Sequence, residues 1–167
     1  MGRSILEEIL LNGCFVNGNT IVEVKEGKDS KGRFKKRLSF NPKKDEKVIF
    51  FEFENCDTLL KSFDIKSDDK KIDFVAIYLN NKRRILFLIE MKGKRTREAL
   101  QQVKFVINFF KRNENFRSSF NKLKSIIKIL IIHTEATDKE NTKLDGLEVV
   151  YLRNPVDDRQ LRKKLKL

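Results

Sequence analysis

The order of apolar and polar positions divides the chain into short, distinct elements. Ser4–Leu11 carries apolar residues at helical spacing, with Ser4 placed to cap the first turn. Thr20–Lys25 alternates as a half-buried strand does, and Lys47–Glu54 reads as a second strand. Between them, Glu26 to Lys47 is rich in Lys, Gly and Asp around a strand-like Arg33–Phe40. This pattern predicts an exposed hairpin or mobile loop. Asp57–Phe63 predicts a helical turn. Lys71–Leu79 (KIDFVAIYL) and Arg84–Lys92 (RILFLIEMK) are apolar at nearly every position, as in strands covered on both faces. Asn80, Asn81 and Lys82 make a hairpin turn between them. Thr96–Arg112 repeats Ala99, Leu100, Val103, Val106, Ile107 and Phe110 at helical spacing. Ser125–His133 and Gly146–Leu152 are further buried strands, and Asp157–Leu167 is a basic helical tail. The expected architecture is a mixed α/β sheet with helices covering it: a helix, a three-strand meander, a helix, then strands.

Length and composition narrow this picture. The chain has 167 residues, 40% of them hydrophobic with fourteen Phe, enough for the core of one domain spanning residues 1–167. Lys and Arg outnumber Asp and Glu by 37 to 24, a formal net charge of +13. Such a surplus attracts polyanions, nucleic acid or an anionic membrane surface. No apolar run approaches the length of a membrane span, and the first residues lack a secretion signal, so a cytoplasmic protein is expected. Residue usage rich in Lys, Ile, Asn and Phe fits an AT-rich microbial or phage genome.

Counts of two residue types exclude whole mechanisms. Cys14 and Cys56 are the only cysteines and lack CxxC spacing, which predicts free thiols in a reducing compartment and excludes a cysteine-rich zinc site. His133 is the only histidine, so two-histidine ribonuclease chemistry and HEXXH zinc sites cannot be built. His133 itself reads as a residue at a strand end. Catalysis here would fall to carboxylates and a metal.

Three charges stand where burial disfavours them. Asp73 interrupts one apolar strand, and Glu90 and Lys92 lie near the end of the next. A buried charge is costly unless it is paired or holds a metal. Residues two apart on a strand share a face, so Glu90 and Lys92 point the same way, and the hairpin can bring Asp73 beside them. Two carboxylates can hold Mg²⁺ or Mn²⁺, with water and a substrate phosphate completing the shell. Lys92 can orient the attacking water or stabilise the transition state. The alternative is a structural salt bridge between Glu90 and Lys92.

The segment KIDFVAIYLNNKRRILFLIEMKGKRTREALQQVKF, residues 71–105, resembles the core of the PD-(D/E)XK nuclease superfamily. It is similar to the branch containing RecB-like and NucS-like nucleases. There an "ID" on one strand is followed by "ExK" on the next and by a helix bearing Gln; here these are Ile72-Asp73, Glu90-Met91-Lys92 and Gln102. The resemblance implies a restriction-endonuclease-like fold and a Mg²⁺- or Mn²⁺-dependent deoxyribonuclease. It implies that Asp73 and Glu90 bind the metal, that the Met91 carbonyl adds a ligand, and that Lys92 is catalytic. Ile72 replaces the motif's Pro, and Val106 stands where related helices often carry Tyr. Gln102 falls within the apolar arc of its helix and needs a polar partner, either at the catalytic edge of the sheet or on backbone. An upstream acid is also common in the superfamily; Glu54 is the candidate, with Glu7 and Glu8 as rivals.

DNA is the expected partner, ahead of RNA. Lys31, Arg33, Lys35, Lys36 and Arg37 of the basic hairpin, with Lys94, Arg95 and Arg97, are expected to grip its backbone. A non-catalytic nucleic-acid-binding or protein-docking module on the same scaffold is the alternative. So is an accessory subunit working with a partner protein or as a homodimer.

Overall fold

The computed structural model describes residues 3–16, 21–25, 35–92, 95–136 and 139–167. Helix α1 (Ile5–Asn12) opens the described part, and the Ser4 hydroxyl accepts from the Glu7 amide as its cap. Strand β1 (Cys14–Phe15) follows, then a hairpin of β2 (Ile21–Lys25) and β3 (Lys35–Ser39). Strand β4 (Lys47–Glu52), helix α2 (Asp57–Phe63) and strands β5 (Phe74–Leu79) and β6 (Arg84–Met91) come next. Helices α3 (Thr96–Arg112) and α4 (Glu114–Leu123) lead into β7 (Ile127–His133), β8 (Thr142–Leu144), β9 (Leu147–Arg153) and α5 (Asp158–Leu165).

Among the described residues, seven strands form one mixed sheet in the order β1-β4-β5-β6-β7-β9-β8. From β1 to β6 every pairing is antiparallel. β6, β7 and β9 run parallel. A parallel neighbour needs a long crossover, and α3 with α4 supplies it. This makes β6 the strand where the sheet changes sense.

Alternation along the strands sends side chains into two cores. Val75, Ile77, Leu86, Leu88, Ile129 and Ile131 meet the helices α1 to α4. Ala76, Phe87, Ile89, Leu130 and Ile132 meet α5 together with Leu38 and Phe40 from the hairpin region. With both faces covered, the central strands are continuous apolar runs. Phe53, Phe63, Phe110, Phe116 and Phe120 pack as one aromatic cluster in the helix-side core, in edge-on and stacked pairs. Gly13, just after α1, has Phe51 against it. A Cβ there would lie 2.6 Å from Cδ1 of that ring and 2.3 Å from the Ile9 carbonyl oxygen.

Two expectations from the sequence change, and one helix is added. The β3 region is not an exposed arm throughout: Lys36, Leu38 and, just past the strand, Phe40 are buried while Arg37 is exposed, and the strand is tied by Ser39 N–H to the Val156 carbonyl. The cysteines are not free thiols. Cys14 and Cys56 form a disulfide with their Cα atoms 5.6 Å apart, because β1 lies on the end of β4 just before α2 begins. α4, unread in the sequence, covers the helix-side core with Phe116 and Phe120. No helix of the described residues is long and apolar enough to cross a membrane.

Candidate active site

The β5–β6 ladder ends with Phe74 opposite Ile89, so the next residues, Asp73 and Glu90, face each other just past it. Two backbone amides lock them in place. The Asp73 amide donates to Glu90 Oε2 at 3.2 Å, and the Met91 amide donates to Asp73 Oδ2 at 2.7 Å. Glu90 is fully buried, while Asp73 is half-buried. Lys92 extends from the same side of the strand as Glu90, and its ammonium lies 3.4 Å from Glu90 Oε1. That oxygen accepts no hydrogen bond among the described residues. The contact is longer than a charge-assisted hydrogen bond, so the oxygen is paired by charge rather than satisfied.

Burial and mutual repulsion shape the two carboxyls. Burial pushes the Asp73 carboxyl up against the pull of the Met91 amide; Glu54 adds to the rise, while Lys92 and Lys36 oppose it. Burial also pushes Glu90 up, with the charge of Asp73 next, and Lys92 opposing. Two like charges in a dry corner resist joint ionisation unless a cation joins them. Glu90 Oε1 and the second oxygen of Asp73 are the atoms such a cation would use. Hard divalent ions take oxygen ligands, and Mg²⁺ commonly uses one or two carboxylates with water and phosphate. The residues present fit that pattern. Among the described residues no group of three or more His, Cys, Asp or Glu is set to hold a metal, so an all-protein cage does not fit.

The structure places the remaining predicted residues as follows. The Met91 carbonyl is already engaged, because Lys36 Nζ donates to it at 3.0 Å. A carbonyl keeps a second lone pair, so this does not close the position. Lys36 is therefore not an exposed phosphate contact. It is 4% exposed, and it enters the site from the hairpin side of the sheet. The alternation of Lys36 with Leu38 and Phe40 was the signal that could have revealed it.

Gln102 does not touch the carboxylates. Its amide donates to the Lys71 carbonyl at 2.7 Å and braces the backbone two residues before Asp73. Glu54 is exposed, one residue beyond Phe53, whose amide donates to the Asp73 carbonyl, and its charge reaches Asp73. Glu8 is occupied by Arg3, ahead of its helix, and by Asn12 within it, and Glu7 is exposed on α1. Arg95 is exposed and pairs with Glu98, while Arg97 and Arg37 are exposed. Lys31, Arg33 and Lys94 lie outside the described residues, as does the side chain of Lys35.

One neighbouring group was not anticipated. Lys92 N–H donates to the Ile132 carbonyl, which sets the end of β6 beside His133. His133 is buried, edge-on to Tyr151. Just beyond it, Glu135 pairs with Lys139 at 2.8 Å, and Lys139 also donates to the Thr96 hydroxyl at the start of α3. The hydrogen bond and charge of Lys139 hold the Glu135 carboxyl below its ordinary range. A line of polar groups thus borders the carboxylate pair along the carboxyl ends of the parallel strands, where open α/β sheets place their crevices.

The chain matches no protein-family model, no curated protein and no solved structure.

Proposed function

We propose that this protein is a metal-dependent phosphodiester hydrolase of the PD-(D/E)XK type on a restriction-endonuclease-like fold, acting on DNA in preference to RNA. The observation that carries the reading is the facing pair Asp73 and Glu90 at the end of a hairpin, with Lys92 beside Glu90. Asp73 and Glu90 would hold Mg²⁺ or Mn²⁺. When bound, the ion would neutralise phosphate charge and acidify a coordinated water. Lys92, one-third exposed, reaches from the buried carboxylate toward solvent and can donate to a phosphoryl oxygen or orient the attacking water. Gln102 keeps the approach to Asp73 in register, and Lys36 fixes the backbone between Glu90 and Lys92 from behind. The net charge of +13 suits a polyanionic substrate.

The test is incubation of the purified protein with supercoiled plasmid, linear duplex and single-stranded DNA, in Mg²⁺, Mn²⁺ or chelator. Cleavage of at least one substrate only with metal is expected, and Asp73→Ala and Glu90→Ala should each abolish it. Cleavage by either variant at the wild-type rate ends the assignment.

The engagement of the Met91 carbonyl by Lys36 favours a second reading, a non-catalytic module that binds nucleic acid or docks a partner protein. Calorimetry separates the two: no Mn²⁺ uptake at millimolar concentration, with DNA still retained, selects the module. Light scattering in solution reads whether the chain acts alone, as a homodimer or only with a partner protein.

A further inference from the structure

At the end of the sheet away from Asp73 and Glu90, cations from three parts of the chain border one open groove. Lys82 and Arg83 of the β5–β6 turn and Arg84 at the start of β6 form one part, Lys128 of β7 the second, and Lys164 and Lys166 at the end of α5 the third. Glu148 is the acidic residue lining it, and it is already paired with Lys128. Among the described residues, no carboxylate lies within ion-pair distance of Lys82, Arg84 or Lys166. The turn and the helix are fastened together, since Arg83 donates to the Lys166 carbonyl at 3.0 Å. Lys164 is likewise anchored on the Lys139 carbonyl.

The negative end of a helix dipole accounts for cations in the last turn of α5. It does not account for the three successive cations Lys82, Arg83 and Arg84 facing it, whereas Lys128 is matched by Glu148. Clamping like charges side by side raises their mutual repulsion, which a polyanion would relieve. The six cations bordering the groove carry more positive charge than one small anion would neutralise. That excess suits a row of phosphates better than a single small anion.

We infer that this groove is a second nucleic-acid contact, which binds the phosphate backbone of a strand or duplex by charge, separately from the carboxylate pair. Arg84 and Glu90 are six residues apart on β6, about 20 Å at strand rise. The contact reads no base sequence, because it offers charge without an element shaped for a base edge. It does not depend on metal chemistry at Asp73 and Glu90.

The test uses fluorescence anisotropy with a labelled 20-base-pair duplex in chelator, so that binding is measured without turnover. The full chain is compared with the triple variants Lys82→Glu/Arg84→Glu/Lys166→Glu and Lys82→Gln/Arg84→Gln/Lys166→Gln. Between about 50 and about 200 mM salt, the charge-neutral variant should show a logarithmic salt slope smaller by roughly two to three. Its affinity at the lower salt should fall at least tenfold, and the charge-reversed variant should fall further. Unchanged affinity and slope in the charge-neutral variant would overturn the inference, and so would tighter binding of polyglutamate than of the duplex at equal charge concentration. Because the measurement is made in chelator, it reads binding without a contribution from a bound metal. Loss of groove binding therefore tests this contact, whereas loss of cleavage tests the nuclease reading.

Discussion

The Asp73 amide donates to Glu90 Oε2 at 3.2 Å, so one acidic residue holds the backbone of the other in place while their carboxyls repel. The consequence can be read from stability. Glu90 is raised from 4.5 to about 8 in the folded protein. Below about pH 4.5 both folded and unfolded states carry its proton. Above that the unfolded state releases it first, so the fold loses stability as pH rises toward 8. Glu90→Gln removes this loss. In chelator at pH 8 the variant should melt higher than the wild type by on the order of 5 °C, with the gap closing near pH 4. An equal gap at both pH values, measured by calorimetry, would refute the burial argument.

Lys92→Met tests the role of the ammonium apart from the metal ligands. Cleavage should fall by about 10²- to 10³-fold, as when a transition-state donor is lost. Mn²⁺ affinity should stay level or rise, because a cation beside the site has gone. Unaltered cleavage by the variant would remove Lys92 from the chemistry.

Gln102→Leu leaves the Lys71 carbonyl without its donor and should destabilise the fold by about 1–2 kcal/mol in denaturant unfolding. Mn²⁺ affinity should drop as well, since the backbone leading to Asp73 loosens. Gln102→Glu sets an acceptor against an acceptor and should be worse on both measures. Normal Mn²⁺ affinity in both variants would limit Gln102 to a packing role.

Far from the site, Arg162 donates to both Glu46 oxygens and to Asp158, and its guanidinium lies 4.9 Å from the Phe40 ring centre. The hydrogen bond from Arg162 leads in lowering Glu46 from 4.5 to about 2. A depressed carboxyl contributes stability above its ordinary value, and that stability is lost as pH falls from about 4.5 through 2. Arg162→Ala should cost about 3 kcal/mol at pH 7 and much less at pH 2. Arg162→Lys should not restore the loss, because an ammonium lacks the two-pronged geometry. A pH-independent cost in urea titrations would refute the ion-pair account.

How far these features could be read from the chain depends on the range of the interactions that make them. β5, β6 and α3 follow from local apolar period, and the turn at Asn80–Arg83 sets the pairing that brings residue 73 opposite residue 90. The mutual placement of Asp73, Glu90 and Lys92 was therefore within reach of hairpin geometry. α4 was not, because Phe116 and Phe120 are its two buried residues in a polar stretch. Lys36 passed as one more basic residue, since its burial depends on Met91, 55 positions away. The Cys14–Cys56 pairing spans 42 positions and depends on β1 joining the sheet edge.

The β5–β6 pairing carries a constraint that an engineer of this protein would meet at once. Strand faces alternate residue by residue, so a shift of β6 by a single position along β5 would bring Met91 to the helical side and send Glu90 and Lys92 toward α5. Lengthening the Asn80–Arg83 turn by one residue risks that inversion, while a two-residue change restores the original facing. Tolerance to insertions at this turn should therefore follow parity rather than size.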